Sequence, residues 1–307
     1  MLSQVTVGCR LRQLAVAFLL VVVCMAEIGC GRPRSVPTLT SLQVTPDVTT
    51  TVSQTPDGQP VVIEHRCADI SKVPLEWITR AKSGLRVLYF HSSHGDQVTV
   101  GMTNLQERLG SLYAFSESGA DGALTYQEVW DDLGTSGNVS WADTTRKRLT
   151  EPGNVVNVVV WSWCGGVSEN TKEGIDAYLA AMSHLEADYP DVKFVYMTGH
   201  LDGTGEPGNL NVRNDQIRSW CIANGKTLFD FADIESYDPD GKYFLNRGAD
   251  ADCSYDGGNW AEEWVRAHPD SAIAGSGYFE HTHVLNCNIK GSAFWWMLAR
   301  IAGWPGQ

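Results

Sequence analysis

A serine flanked by histidines follows a short apolar segment and is the first candidate for chemistry. The segment covers residues 85–90 and is followed directly by His91, Ser92, Ser93, His94 and Gly95. A serine hydroxyl becomes a nucleophile when a base within hydrogen-bond reach takes its proton, and histidine does so near neutral pH. We therefore expect Ser93 to be an acyl-transfer nucleophile, with Ser92 as the alternative in the same turn. A serine at this position also suits a structural role, which is to cap the following helix.

A histidine that acts as base for such a serine need not be its neighbour in sequence. Glu280, His281 and His283 stand together shortly before the last predicted helix. A base can be distant in sequence if the fold brings it to the nucleophile. His281 and His283 are therefore candidate bases, with Glu280 as a neighbouring carboxylate. Both histidines also suit ordinary surface or core positions.

Backbone amides near the predicted nucleophile can bind a developing negative charge. At a strand-to-helix turn, the N–H groups of His94 and Gly95 would face the substrate oxygen on which that charge forms. Cys164 and Gly165 follow the strongest apolar run in the chain, residues 155–161, and are predicted to add a donor from a neighbouring strand end. This chemistry needs no cofactor, and we predict none.

Cysteine usage leaves a second interpretation open at the same place. Cys164 could be a thiol nucleophile with His200 as its base. Because disulfides are the common state of cysteines in exported proteins, we instead predict a disulfide for Cys164, for example to Cys221. The pairing of the other cysteines does not follow from their spacing. The chain has no Cys-x-x-Cys pair, so a structural zinc site is not predicted.

Acidic residues are frequent between residues 238 and 256 and raise the question of a calcium loop. They include Asp238, Asp240, Asp250, Asp252 and Asp256. Their spacing does not fit the twelve-residue EF-hand template, which also requires a closing glutamate. We therefore predict a solvated acidic loop and no metal.

Charge and aromatic content limit the possible partners. The formal net charge of −13 argues against a nucleic-acid partner, because phosphate binding requires a basic surface. The eleven tryptophans weakly favour a carbohydrate partner, since tryptophan often lines sugar-binding clefts. Trp161, Trp163 and Trp260 could form such a platform, and the alternative for each is a position in the core.

The first sixty residues are predicted to precede the folded domain. Residues 1–30 resemble a signal peptide, with an apolar stretch over 14–25 that is short for a membrane span. Gly29 and Cys30 resemble a bacterial lipoprotein cleavage site, so the protein is predicted to be exported, either lipid-anchored through Cys30 or secreted. Residues 31–60 are rich in Thr, Ser and Pro and indicate a linker. The domain is predicted over 61–307.

The remaining pattern alternates strands with helices. Strands are predicted at residues 85–90, 155–161, 192–197 and 227–231, and helices around 102–112, 170–189, 212–223 and 290–301. Asn170 and Glu173 form a capping-box pattern at the start of the second helix. Residues 119–153 are predicted to be loops. Such alternation indicates an α/β domain with a mainly parallel sheet covered on both faces.

This order of parts resembles the SGNH (GDSL-type) hydrolases, a family of esterases, lipases and carbohydrate deacetylases with a flavodoxin-like three-layer sandwich. Ser93 resembles the nucleophile of the family's Gly-Asp-Ser block, and His281 resembles its histidine before the last helix. The turn at residues 162–165 stands where the family has an asparagine oxyanion donor, which this chain lacks. The family's acid would fall on Tyr278, which is not a carboxylate. The resemblance thus implies His281 as the base, with Glu280 to orient it and His283 as the alternative base.

The resemblance implies an exported serine esterase that removes O-acetyl or other ester groups, for example from a carbohydrate. The two departures support a different hypothesis, in which the scaffold is kept without catalysis. The protein would then be a glycan-binding or structural lipoprotein of the cell surface.

Overall fold

The computed structural model describes residues 58–275 and 277–306. The predicted signal peptide, Cys30 and nearly all of the predicted linker lie outside these residues. The strands are β1 (Val61–Ile63), β2 (Arg86–His91), β3 (Phe115–Ser116), β4 (Leu124–Trp130), β5 (Val158–Trp161), β6 (Lys193–Met197), β7 (Thr227–Phe229), β8 (Ser254–Tyr255) and β9 (Gly258–Asn259). The α-helices are α1 (Leu75–Gly84), α2 (Ser93–Leu109), α3 (Ser140–Leu149), α4 (Lys172–Asp188), α5 (Asn209–Ala223), α6 (Phe231–Ile234), α7 (Trp260–Ala267) and α8 (Val284–Ile301).

Seven of these strands form one parallel sheet in the order β1-β7-β6-β5-β2-β4-β3. From β4 to β7 the order is that of a doubly wound 2-1-3-4-5 sheet, with β2 as the first strand. The chain passes from β2 to β4 on one side and then to β5 on the other side. The switch point therefore lies between β2 and β5, and in such sheets ligands bind outside the carboxyl ends of the strands at this point.

The two central strands are apolar on both faces, as expected for a sheet covered by helices on both sides. Residues 87–90 of β2 and 158–161 of β5 are fully buried. Helices α1 and α2 contact α8, whereas α4 contacts α3 and α5. The α/β class and the parallel sheet are thus as the sequence predicts. None of the helices in the described part has the length and apolar character that a membrane span requires.

Helices α2 and α8 cross at two glycines. A Cβ atom at Gly101 would lie 1.8 Å from the carbonyl oxygen of Cys287, and one at Gly291 would lie 2.2 Å from the carbonyl carbon of Gly101. Only glycine permits this approach of two backbones. It brings α8 directly against the helix that begins at Ser93.

The predicted strands and helices are present, with four corrections. The helix predicted around 102–112 is α2, which covers Ser93–Leu109 and so begins nine residues earlier. Residues 119–153 are not only loops, since they contain β4 and α3. The second half of β4 alternates between exposed and partly buried side chains, which hides its apolar period. Helix α8 begins at Val284 rather than near residue 290. The prediction missed its first turns because they carry buried polar residues, which interrupt the apolar pattern. Helix α4 is capped by Thr171 rather than Asn170, since Thr171 Oγ1 accepts a hydrogen bond of 3.0 Å from the Gly174 amide.

The disulfide prediction is wrong for the described residues. The cysteines there are all free thiols: Cys67, Cys164, Cys221, Cys253 and Cys287. Cys221 is fully buried in α5, where burial raises the pKa of its thiol. Cys164 follows β5 and is partly exposed, so it remains available for chemistry.

Candidate functional site

The turn from β2 to α2 presents two serines in different directions. Ser92 precedes the helix, and its Oγ donates a hydrogen bond of 2.6 Å to Asp132 in the loop after β4. Ser93 is the first helical residue, and its Oγ lies 2.9 Å from Cys164 Sγ, with either atom able to donate. Neither side chain caps the helix, so the capping alternative does not account for them.

The contact between Ser93 and Cys164 follows from the strand register. Phe90 of β2 pairs with Trp161 of β5, and each of the two polar residues stands three positions beyond its partner in that pair. Both side chains therefore reach the carboxyl ends of the two strands that flank the switch point. This is where a doubly wound sheet binds its ligands.

Gly95 holds the start of α2 close to the end of β5. A Cβ atom at this position would lie 2.3 Å from Ser162 Oγ and 2.6 Å from His91 Cβ. The Gly95 carbonyl accepts a hydrogen bond of 2.9 Å from the buried hydroxyl of Tyr89. The first turn of α2 is thus fixed, and its leading N–H groups have no partner earlier in the helix. Those of His94 and Gly95 are therefore suited to bind an anion.

The turn after β5 has an open backbone position at Gly165. Gly165 is exposed, and a Cβ atom there would meet no other atom within 4 Å. Cys164, its neighbour, has its thiol turned toward Ser93. Of the predicted oxyanion residues, His94 and Gly95 thus lie in the first turn of α2, and Cys164 and Gly165 lie in the turn after β5.

Three imidazole rings lie next to one another at this edge of the sheet. The His94 ring stacks on His200 with centroids 3.7 Å apart and on His281 with centroids 5.3 Å apart. His94 Nδ1 also lies 3.8 Å from Cys164 Sγ. Both nitrogens of His200 face carbonyl oxygens, those of Leu201 and Cys164, at 2.9 Å. His200 is therefore not placed to take the thiol proton, and His94 is the nearer ring.

His94 is electrostatically unsuited to hold a proton. Burial, followed by the charges of His200, Lys290 and His281, lowers the pKa of His94 to about 3. General bases work best with a pKa near the operating pH. His94 is therefore neutral at pH 7 and a weak base.

His281 has the carboxylate partner that a catalytic histidine requires. Its Nε2 lies 3.0 Å from Oε1 of Glu280, and its side chain is 52% exposed. In the described residues, no hydrogen bond joins His281 to Ser93. The His281 ring stacks on His94, which lies beside Cys164, the residue in contact with Ser93. The backbone of His281 has a φ of +47°, which is unusual for a residue other than glycine.

The other residues considered near His281 have structural roles. His283 precedes α8, and its Nδ1 accepts a hydrogen bond of 3.1 Å from the Leu285 amide. Burial lowers the pKa of His283. Tyr278 is exposed, and its backbone N–H and carbonyl both bond to Asn104 of α2. The carboxylate beside His281 is therefore that of Glu280, whereas Tyr278 is held through its backbone.

Sequence reasoning missed a buried ion pair beneath these rings. Lys290 of α8 and Glu235, which follows α6, lie 2.6 Å apart and are both fully buried. Lys290 also donates a hydrogen bond to Gln97 of α2. The available signal was a lysine within an apolar helix pattern, where an unpaired charge would be costly.

The tryptophans and the acidic segment both have structural roles. Trp161, Trp163 and Trp260 are at most 4% exposed, so they form core and not a sugar platform. In the acidic segment, Asp238 Oδ1 accepts bonds from two backbone amides, as does Asp250 Oδ1. These carboxylates stabilise their own turns.

Two other groups of side chains bring potential metal ligands within 4.8 Å of one another. They are Glu64, His65 and Asp233, and His91, Asp96 and Glu128. Each contains a direct imidazole–carboxylate contact, of 2.6 Å between His65 and Asp233 and of 2.9 Å between His91 and Glu128. These contacts account for both groups without an ion.

The described geometry is thus a hydroxyl and a thiol at the switch point, the first amides of α2, and a nearby imidazole–carboxylate pair. These are the parts that acyl transfer requires. No known family model matches the chain, and no curated protein matches it either.

Proposed function

We propose that the protein is a serine hydrolase of the SGNH type that cleaves an ester, with Ser93 as the nucleophile. The observation that carries this proposal is the position of Ser93 Oγ at the sheet's switch point, 2.9 Å from Cys164 Sγ and beside the first amides of α2. A hydroxyl at a helix N-terminus attacks a carbonyl whose developing charge those amides can bind.

His281 is the proposed base, with Glu280 as its partner. Glu280 accepts from Nε2, which leaves Nδ1 to take the Ser93 proton when substrate closes the gap between them. Catalytic hydrogen bonds often tighten only in the substrate complex. The hydroxyl oxygen then bonds to the acyl carbon, and the ester bond breaks. The leaving alcohol receives the proton from His281, and water repeats the sequence to release the acid.

The thiol of Cys164 gives a second candidate nucleophile at the same place. Its contacts with Ser93 at 2.9 Å and with His94 Nδ1 at 3.8 Å favour this alternative. The weak basicity of His94 opposes it, because a thiol nucleophile requires a base that can take its proton. In the serine mechanism, Cys164 orients the Ser93 hydroxyl.

The experiment compares variants of the two serines and the cysteine. Parent protein, Ser93→Ala, Ser92→Ala and Cys164→Ala are assayed with p-nitrophenyl acetate and with a fluorophosphonate probe. We expect Ser93→Ala to lower turnover by about 10³-fold or more and to abolish labelling. Ser92→Ala is the matched control and should keep both. Equal labelling of the parent and Ser93→Ala would remove Ser93 from the role, and loss only in Cys164→Ala would identify the thiol as nucleophile.

The substrate class is proposed to be an O-acetylated or otherwise esterified carbohydrate. The support is the resemblance to carbohydrate deacetylases together with an acidic chain that does not suit nucleic acid. Acetate release from an acetylated polysaccharide tests this. Binding to the polysaccharide without acetate release, in a protein that also fails the ester assay, would favour the catalytically degenerate alternative.

Export is proposed on the sequence of residues 1–30, which lie outside the described residues. The mature protein would then begin at or after Cys30, with or without lipid on that cysteine. Mass spectrometry of the mature N-terminus distinguishes a lipid-anchored form from a secreted one. An intact N-terminus on protein from its native host would contradict export.

A further inference from the structure

The ion pair of Lys290 and Glu235 lies at the centre of a hydrogen-bonded network. Its two side chains are 0% exposed, with Nζ 2.6 Å from Oε2. Such a pair is weak evidence for stability, because both charges lose their hydration when they are buried. What distinguishes this pair is the set of groups that bond to it.

The network joins the segments that carry the candidate site. Lys290 Nζ donates to Gln97 Oε1, and Gln97 Nε2 donates a bond of 3.2 Å to the carbonyl oxygen of His281. The second oxygen of Glu235 accepts from the amide of Leu201, the residue after His200. Helix α2, the loop before α8 and the loop after β6 therefore meet at one buried pair.

The loop before α8 needs such support at His281. The φ of +47° at this residue is a conformation that side chains other than glycine adopt at a cost. Strained residues persist only where their surroundings hold them. Here the bond from Gln97 fixes the His281 carbonyl, and Gln97 stands one helical turn after Ser93.

We propose that Lys290 and Glu235, acting through Gln97, are positioning residues that hold His281 in register with Ser93. This inference rests on the proposed function, and it adds residues to the same site. The network ties the base to the helix that carries the nucleophile, so both move as one body.

The charge of Lys290 has a second effect on the rings. His94 is faced by His200 from the end of β6, by His281, by Cys164 from the end of β5 and by Lys290 from α8. The ammonium group of Lys290 contributes to the lowered pKa of His94. It therefore helps to keep the ring between the other two imidazoles neutral.

The most selective test is Gln97→Glu. A glutamate keeps the acceptor for Lys290 and has nearly the same shape, but it cannot donate to the His281 carbonyl. We expect kcat to fall about 100-fold, as for a misplacement of about 1 Å, while KM stays near the parent value. The melting temperature should fall as well, because the new carboxylate adds a negative charge at a fully buried position, so kcat is measured well below it. Gln106→Glu is the matched control on the same helix, because Gln106 uses only its acceptor, toward the Phe115 amide.

A second variant replaces the ion pair as a unit. Lys290→Met combined with Glu235→Gln removes both charges and avoids an unpaired buried charge. We expect the same loss of kcat, and NMR should show His94 titrating at higher pH than in the parent. Parent-like kcat in both Gln97→Glu and the double variant would overturn the positioning role.

The network can also be judged apart from the proposed function. If the parent hydrolyses no ester and takes no fluorophosphonate label, the proposed function fails. The ring NMR signals of His281 still report its position, and we expect them to move in Gln97→Glu and not in Gln106→Glu. Unchanged His281 signals in both variants would contradict the network itself.

Discussion

The crossing of α2 and α8 offers a sharp test, because a single added methyl group has no room there. In Gly101→Ala the new Cβ would lie 1.8 Å from the carbonyl oxygen of Cys287, whereas ordinary contact begins at 3.4 Å, so the helices must separate by about 1.6 Å. The opposing atom belongs to the backbone and cannot rotate away. Relief therefore requires one helix to move as a whole.

The cost of this movement lies at the upper end of values for overpacked cores. Added methylenes in a well-packed interior typically cost about 1–3 kcal/mol. We expect about 3 kcal/mol for Gly101→Ala, because separating the helices also loosens the buried side of α8. For a domain of this size, that lowers the melting temperature by about 6–12 °C. Ester turnover should fall as well, since Ser93 moves with α2.

Urea denaturation followed by tryptophan fluorescence measures the change in unfolding free energy. Gly84→Ala is the matched control, because a Cβ there would meet nothing within 4 Å and the residue ends helix α1. Alanine should leave the control unchanged or stabilise it by about 0.5–1 kcal/mol. A Gly101→Ala protein within about 0.5 kcal/mol of the parent would show that the helices do not cross at this residue.

Three further outcomes are expected. Thr171→Ala removes the side-chain cap of α4 and should cost about 1 kcal/mol of unfolding free energy. Thr135→Ala, in an exposed bend, is the matched control and should cost nothing measurable by the same denaturation assay. In the fold the pKa of His94 is lowered from 6.5 to about 3, so between these pH values the unfolded state binds a proton that the folded state does not. The unfolding free energy should therefore fall as the pH drops from 6.5 toward 3. A His94→Gln protein should show a shallower fall in melting temperature over that range, and an unchanged slope would contradict a buried neutral ring. The Asp233 carboxyl is buried, which raises its pKa, but hydrogen bonds from His65 outweigh this effect and hold the pKa below its ordinary 3.8. The ionised carboxylate therefore stabilises the fold above pH 3.8, and this contribution is lost as the pH falls through the lower folded value. Asp233→Asn should flatten the dependence of melting temperature on pH in that acid range only.

The sequence predicts the central strands well because their side chains are apolar on both faces. Strands β2, β5, β6 and β7 all follow this rule, and their apolar runs are unmistakable. Strand β4 is not predicted because the side chains of its second half alternate between partly buried and exposed near the edge of the sheet. The start of α8 is missed because it is buried and yet polar. Asn286 and Lys290 are buried there and interrupt the apolar pattern.

The cysteines show how an argument from cellular compartment can fail. Export favours disulfides in general, but a disulfide needs two cysteines whose Cα atoms lie within about 7 Å. Cys221 lies fully buried in α5, whereas Cys164 lies in the turn after β5 with its thiol against Ser93. Compartment gives no information about such distances, so only the fold could decide this pairing.

The two halves of the candidate site differ in how far sequence can locate them. Ser93 and Cys164 are 71 residues apart, yet each stands three positions beyond a residue of the paired positions Phe90 and Trp161. Once two buried strands are known to be neighbours in a parallel sheet, their register brings these side chains together. His281 belongs to a loop, and its position depends on a strained φ and on a hydrogen bond from Gln97. Neither leaves a periodic trace in the sequence. The sheet therefore sets the position of Ser93, the proposed nucleophile, whereas a buried network sets that of His281, the proposed base.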